Sequence, residues 1–253
     1  MISIEQSGRV TTATLARAPV NAINDELMVR LGEIVDQVER DENISVLHIR
    51  SGLKTFSAGA DLALMQSCFA TPEGPDRMVM LVRQMQAVFA RLESAPFVTL
   101  AEIGGAAVGG GLELALACDL RIAAAEAKLG LTEARLGLLP GAGGTQRLTR
   151  LCGRGIANRL ILGGELMTGA EAERLGVVQW SIPRAQLAER ARELAAHYAS
   201  MPRPALAAIK RCLAVADARD PRGYEEEILG TRRLYDDAEA RRRVAEFLSK
   251  SVA

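Results

Sequence analysis

With 253 residues, 49% of them hydrophobic and 25% charged, the chain can bury one large core and reads as a single sizeable domain or a domain with an appendage. A formal net charge of +0 excludes a surface drawn as a whole to nucleic acid or anionic lipid. No apolar run is long enough to span a bilayer, and Met1-Ile2-Ser3-Ile4-Glu5 lacks the basic start and apolar stretch of a signal peptide, so the expectation is a cytoplasmic protein without a membrane segment. Val10 to Leu15 reads as an early strand. Asn24 then reads as a helix N-cap, with Leu27, Leu31, Ile34, Val35 and Val38 at helical spacing behind it. Ser45 to Arg50 is a short β-rich run. The small-residue turn Phe56-Ser57-Ala58-Gly59-Ala60-Asp61-Leu62 follows, and then a stretch from Ala63 to Asp76 that reads as a mobile loop. A helix is predicted from about Asp76 to Glu93, ended by Pro96.

Phe97 to Ala101 reads as a strand feeding Gly104-Gly105. A helix starts near Gly110, and a strand covers Leu120 to Ala123. Past Gly141 a helix carries Gln146-Arg147-Leu148, with Gly153 as its stop. Thr168-Gly169-Ala170-Glu171 fits a capping box, and Val177 to Trp180 a last strand before Pro183. Strand, turn and helix repeat through this part, which argues α/β. Beyond about residue 185 helical periodicity takes over, punctuated by Pro202, Pro204 and Pro221. That tail is either an oligomerisation or lid element or a helical layer packed on its own body.

Cys68, Cys118, Cys152 and Cys212 are scattered with no CxxC pair, which suits buried free thiols in a reducing compartment. With only His48 and His197, a histidine–carboxylate metal set is hard to assemble, and no metal is expected. Phosphate motifs fail too. Gly104 to Gly109 is not GxGxxG, no glycine loop runs into GK[ST], and there is no GxSxG elbow.

What remains is a pair of acids beside glycine-rich turns. Gly109-Gly110-Gly111 lets a ligand approach the backbone, and the helix behind it points its first N–H groups outward. Glu113 lies in the first turn of that helix. Glu133 closes Lys128-Leu129-Gly130-Leu131-Thr132-Glu133 and precedes Gly137-Leu138-Leu139-Pro140-Gly141. Two carboxylates plus backbone donors are the equipment for acid–base chemistry beside a stabilised oxyanion. The plain alternatives are glycines that only permit close packing and Glu113 as a favourable first-turn acid.

Taken together, Phe56 to Leu62, Ile103 to Arg121 and Lys128 to Leu148 resemble the enoyl-CoA hydratase/isomerase family, the crotonase superfamily. The resemblance implies a spiral of ββα repeats over 1–184 and a C-terminal helical trimerisation region over 185–253. It implies an acyl-CoA thioester substrate, no cofactor beyond that coenzyme A and a homotrimer or homohexamer, while the neutral net charge gives no reason to expect a nucleic-acid partner. By resemblance, the N–H groups of Ala60 and Gly110 form the oxyanion hole, Glu113 activates water, and Glu133 exchanges a proton with the α-carbon. Ala58, Gly59, Asp61, Leu62, Gly109 and Gly141 border the substrate. Mutual repulsion of the two glutamates is expected to raise the pKa of one of them.

Three departures stand out. Leu131-Thr132 replaces the Gln-Pro of many hydratases, which points towards branches handling branched or dicarboxylic acyl groups, such as methylglutaconyl-CoA hydratases. Asp25 to Glu33 carries no lysine, so the RNA binding of some relatives is not carried over. Arg241-Arg242-Arg243 reads as a solvated face, or as a coenzyme A phosphate contact across a subunit boundary. The activity implied is enoyl-CoA hydration. An isomerase or other lyase of the family, and a non-catalytic acyl-CoA binder, are the alternatives.

Overall fold

The computed structural model describes residues 1–217 together with Ala238 and Arg242. Pro221, Arg241, Arg243 and the rest of the helical pattern past residue 217 lie outside the described residues. Arg242 is helical and exposed.

The chain opens on a hairpin, β1 (Ile2–Ser7) against β2 (Val10–Leu15), turning at Gly8 with φ of 55°. β1 shows little alternation, and only its pairing makes it a strand. α1 (Asp25–Arg40) starts where expected: the Asn24 side chain accepts the Leu27 N–H, and the predicted apolar stripe is buried. β3 (Val46–Ser51) then lies parallel to β2.

The stretch read as a loop is helical over its first half: α2 (Leu62–Phe69) forms there because the Asp61 carboxylate accepts the N–H groups of Ala63 and Leu64 and starts a helix. α3 (Gly74–Ser94) follows, with Leu81, Met85, Val88, Phe89 and Leu92 buried.

β4 (Val98–Ile103), β5 (Ala107–Val108) and α4 (Gly110–Leu116) form the next repeat. β6 (Leu120–Ala124), β7 (Lys128–Gly130), a 3₁₀ turn at Glu133–Leu136 and α5 (Gly144–Leu162) form another. α5 breaks at Gly153 (φ 75°), as its sequence predicts, and a second segment then runs on. β8 (Met167–Thr168) leads into α6 (Gly169–Arg174), whose Thr168–Glu171 capping box is present in both directions. The last strand, β9 (Trp180–Ile182), begins where the sequence reading ends it. Val177 and Val178 are buried in the turn after α6 instead, where Gly176 takes a φ of 77°.

The long strands make one six-stranded sheet, β1-β2-β3-β4-β6-β9, parallel apart from the hairpin. The short ones make a second sheet, β5-β7-β8. The repeats β4-β5-α4 and β6-β7-α5 each give one strand to each sheet and then a helix, the winding expected of a ββα spiral.

The register of the second sheet assembles the site. Ser57 bridges to Ala107, and Ala107 pairs with Leu129, all parallel. Two to four residues further along each strand come Gly59-Ala60, Gly109-Gly110 and Leu131 to Glu133. Three segments far apart in the chain therefore end side by side.

α7 (Arg184–Ala199) lies on the large sheet, with Leu187, Ala191, Leu194, Ala195 and Ala199 in the core. α8 (Arg203–Asp217) is tied to the same body. Arg203 donates to the carbonyls of Val38, Glu39, Asp41 and Ile44 at the end of α1, and Lys210 to Phe97 O and the Asp119 carboxylate. Over residues 184–217 the helical layer on the chain's own body is the arrangement observed. All four cysteines are free, and Cys68 and Cys118 are buried.

Candidate active site

A cavity of about 560 Å³ opens beside the three converging segments. Its walls include Ala58, Gly59, Ala60, Leu62, Gly109, Gly110, Glu113, Glu133 and Gly141, nine of the ten residues singled out from the sequence. Asp61 is the tenth and does not line it. Its carboxylate caps α2 and pairs with Arg17 at 2.7 Å, and the Leu64 N–H and that guanidinium hold its pKa below the usual carboxylate value.

The backbone of the two glycine turns meets face to face. A Cβ on Gly59 (φ 84°) would sit 2.7 Å from Val108 O and 3.1 Å from Gly110 N, so this contact excludes any side chain there. Gly110 heads α4, and its N–H has no acceptor within the helix. Among the described residues, neither the Ala60 N–H nor the Gly110 N–H donates to a protein atom. The flanking N–H groups are spent: Asp61 N–H goes to Ile23 O, and Gly59 N–H to Ser57 Oγ.

Glu113 is 2% exposed. Its Oε1 accepts two backbone N–H groups, from Ala142 and Gly144, each at 2.8 Å. Both belong to the turn that opens α5, so the start of one helix holds an acid carried on the first turn of another. Oε2 has no protein donor among the described residues.

Burial is the largest influence on this group and pushes its pKa from 4.5 up to about 7. The two N–H bonds oppose the rise, and repulsion from Glu133 adds to it. Desolvation thus outranks the repulsion expected from the sequence.

Glu133 starts the 3₁₀ turn. Its Oε2 is buried with no hydrogen-bond partner, and burial raises its pKa as well. A Cβ on Gly109 (φ 54°) would lie 2.9 Å from Glu133 Oε1, so glycine is needed there to seat the acid as well as to turn the chain.

Several contributors escape a sequence reading. Asn21 is fully buried with a φ of 51°, and its amide donates to Ser51 Oγ, Thr55 O and Phe56 O. The Ser57 hydroxyl donates back to Asn21 O, so this asparagine braces the Ala58–Ala60 turn. Ala142 and Gly144 were visible only as a glycine-rich helix start, a pattern that can be read as an acid-binding helix terminus once a buried carboxylate is known. The other walls are mostly apolar: Met65, Met78, Val79, Val82, Leu136, Leu138 and Leu139, with Thr132 and the cation Arg83. Two acids, two unspent N–H donors and an apolar enclosure suit proton transfers at neighbouring atoms of a substrate whose oxygen gains negative charge.

The profile of the family described as "Enoyl-CoA hydratase/isomerase" matches residues 5–250. A "Probable enoyl-CoA hydratase" of Bacillus subtilis is 39% identical over 213 residues, 84% of this chain and 81% of that protein. The mouse mitochondrial "Methylglutaconyl-CoA hydratase" is 40% identical over 159 residues, covering 62% of this chain and 49% of that one. Among solved structures, the enoyl-CoA hydratase of Bacillus anthracis superposes with a TM-score of 0.92 at 33% identity, over 98% of this chain and 96% of its own. The chain belongs to the enoyl-CoA hydratase/isomerase family, in the crotonase superfamily, and is most like its enoyl-CoA hydratases.

Proposed function

We propose that this protein is an enoyl-CoA hydratase, adding water across the double bond of a 2,3-unsaturated acyl-CoA. The observation that carries the reading is the convergence of Glu113 and Glu133 on one cavity with two unspent N–H donors. The thioester oxygen accepts from the Ala60 and Gly110 N–H groups. Glu113, with Oε1 tied back to the α5 turn, presents Oε2 to a water. That carboxylate takes a proton from the water as its oxygen bonds to C3, and the electrons of the double bond move onto the thioester oxygen as an enolate. Two preorganised donors stabilise this charge, and each is worth about 100- to 1,000-fold in rate. Collapse of the enolate takes a proton from Glu133 onto C2. Proton exchange with solvent then returns the pair to its starting state. The raised pKa values of both acids favour the one-proton pair that this cycle needs. The coenzyme A enters as part of the substrate, and the reaction as drawn consumes only water.

The test is a panel of 2-enoyl-CoA substrates followed by loss of the conjugated-thioester absorbance. Glu113→Gln and Glu133→Gln should each lower turnover about 1,000-fold or more with the fold intact. Wild-type rates in both variants would overturn the assignment.

A second reading has its own support. Thr132 lines the cavity where many hydratases carry proline, and the relatives include methylglutaconyl-CoA hydratases. A methyl-branched dicarboxylic enoyl-CoA therefore belongs in the panel, as does a 3-enoyl-CoA to detect isomerase activity. Tight acyl-CoA binding without turnover of any member would favour a binding protein. The reading also includes a homotrimer or homohexamer working in the cytoplasm. Its support is the exposed apolar surface at Leu136, Leu138, Leu139, Leu162, Ile209 and Leu213, together with the free thiols.

A further inference from the structure

Arg147 lies outside the catalytic cavity. It lines a second cavity, of about 590 Å³, at the C-terminal end of α4, and is only 9% exposed. Its guanidinium bridges two elements. Nε and Nη2 donate to Glu93 Oε2 on α3 at 3.2 and 2.9 Å, and Nη1 donates to Ala142 O at 3.0 Å. That carbonyl belongs to the peptide joining Ala142 to Gly143. The peptides on either side of it supply the Ala142 and Gly144 N–H groups that hold Glu113 Oε1. Gly143, with a φ of 107°, leaves room for the arrangement, since a Cβ there would lie 2.2 Å from Nη1.

We propose that Arg147, anchored by Glu93, is a positioning residue for Glu113: it clamps the one peptide between the two donors and so aims both at the same carboxylate oxygen. The inference rests on the reading of Glu113 as the base that activates water. A guanidinium suits the task because its planar fork serves a carboxylate and a carbonyl at once, which an ammonium cannot do in the same geometry. The charged groups acting on Glu113 are Glu133 of the 3₁₀ turn and Arg147 of α5, and Arg83 of α3 lines the same cavity. α2 offers only Leu62 and Met65 to the cavity, and the two glycine turns offer backbone. Arg147 is thus the cation whose removal acts on Glu113 through both its field and the turn.

The test compares Arg147→Met, Arg147→Lys and Glu93→Gln with the wild type. Arg147→Met should lower kcat about 10- to 100-fold with KM within about twofold, because the acid is misaimed while no side chain lining the cavity is changed. The acidic limb of its pH–rate profile should move to higher pH. Arg147→Lys should recover part of the rate, and Glu93→Gln, which removes the charge of the anchor but keeps an oxygen to accept from the guanidinium, should lower kcat by less than Arg147→Met does. Glu93→Gln, a change on a side chain 44% exposed, keeps the question open to test if Arg147→Met does not fold.

A readout independent of turnover is the titration of the Glu113 carboxyl in ¹³C-glutamate-labelled protein, which should move upward in Arg147→Met. If the wild type hydrates nothing and that titration still moves, the hydratase reading fails and the positioning role stands. A folded Arg147→Met protein with wild-type kcat and an unmoved Glu113 titration overturns the proposal. So does a loss of rate that follows unfolding alone with the titration unmoved.

Discussion

Glu113 shows how burial and function oppose each other at a single residue. Its carboxyl is raised to about 7 because desolvation outweighs two good backbone hydrogen bonds. As the base of the proposed reaction it must be ionised, so on that proposal hydration should fall as pH drops through about 7, and a pH–rate profile of kcat checks this. The same shift predicts a stability effect of opposite sense. The folded protein holds this proton more tightly than the unfolded chain, whose carboxyl titrates near 4.5. Between those values the folded state binds more protons, so this group's contribution to stability falls as pH rises from 4.5 to about 7. Glu113→Gln keeps an oxygen to accept both N–H groups and has no proton to lose. It should therefore be more stable than the wild type above pH 7, by on the order of 3 kcal/mol, and no more stable at pH 4.5. Thermal melts at the two pH values decide it, and equal melting shifts at both would refute the linkage. The identity of both acids was legible in the sequence, because each stands in a glycine pattern. The order of the influences on Glu113 was not, because desolvation depends on what the rest of the chain places around it.

Between elements, the contacts that hold helices in place are long cations reaching backbone carbonyls. Arg121, 2% exposed, donates to Val177 O and to the carbonyls of Ala115 and Cys118 at the end of α4, which steadies the helix that carries Glu113. Arg203 does the same for α1, with carbonyls of four residues as acceptors. Removing it takes this donor from the carbonyls of Val38, Glu39 and Ile44 in a largely buried position, while Asp41 O keeps the Ile44 N–H. Arg203→Met should cost about 2–4 kcal/mol in urea unfolding, while turnover at low denaturant stays near wild type, since Arg203 lies on α8 and does not line the cavity. A loss under about 0.5 kcal/mol would show that α8 is not an integral layer of the body. Capping signals such as Asn24 and Thr168-Glu171 were legible because they act within four residues. Asp61 shows the limit of that legibility. Its place in a motif suggested a substrate contact, and its side chain instead starts α2, the helix that the loop reading missed.

For the whole molecule, the ββα winding brings residues 57–60, 107–110 and 129–133 together and leaves apolar side chains at the surface. Leu136, Leu138 and Leu139 are exposed in the segment between Glu133 and Gly141, beside the cavity. Such side chains gain when a second chain covers them. The expected result of sedimentation equilibrium is a particle of three or six chains. A monomer at micromolar concentration would remove the assembly from the proposal. Among the described residues no helix is long and apolar enough to cross a membrane.

The kind of fold and the chemical inventory were legible in the chain alone: the alternation of strand and helix, the glycine turns, the two acids, and the absence of phosphate-loop and serine-elbow patterns. Those follow from periodicity, capping and residue type, which act over a few positions. The short strands β5, β7 and β8 carry two or three residues each, too few for any period to show, and they came only with their partners. It took the folded chain to bring Ala60 and Gly110 to one cavity, to have the α5 turn grip Glu113, and to set Arg147 against that turn from another cavity. Each of these depends on strand register and on desolvation by remote segments, and no local stretch of chain encodes either.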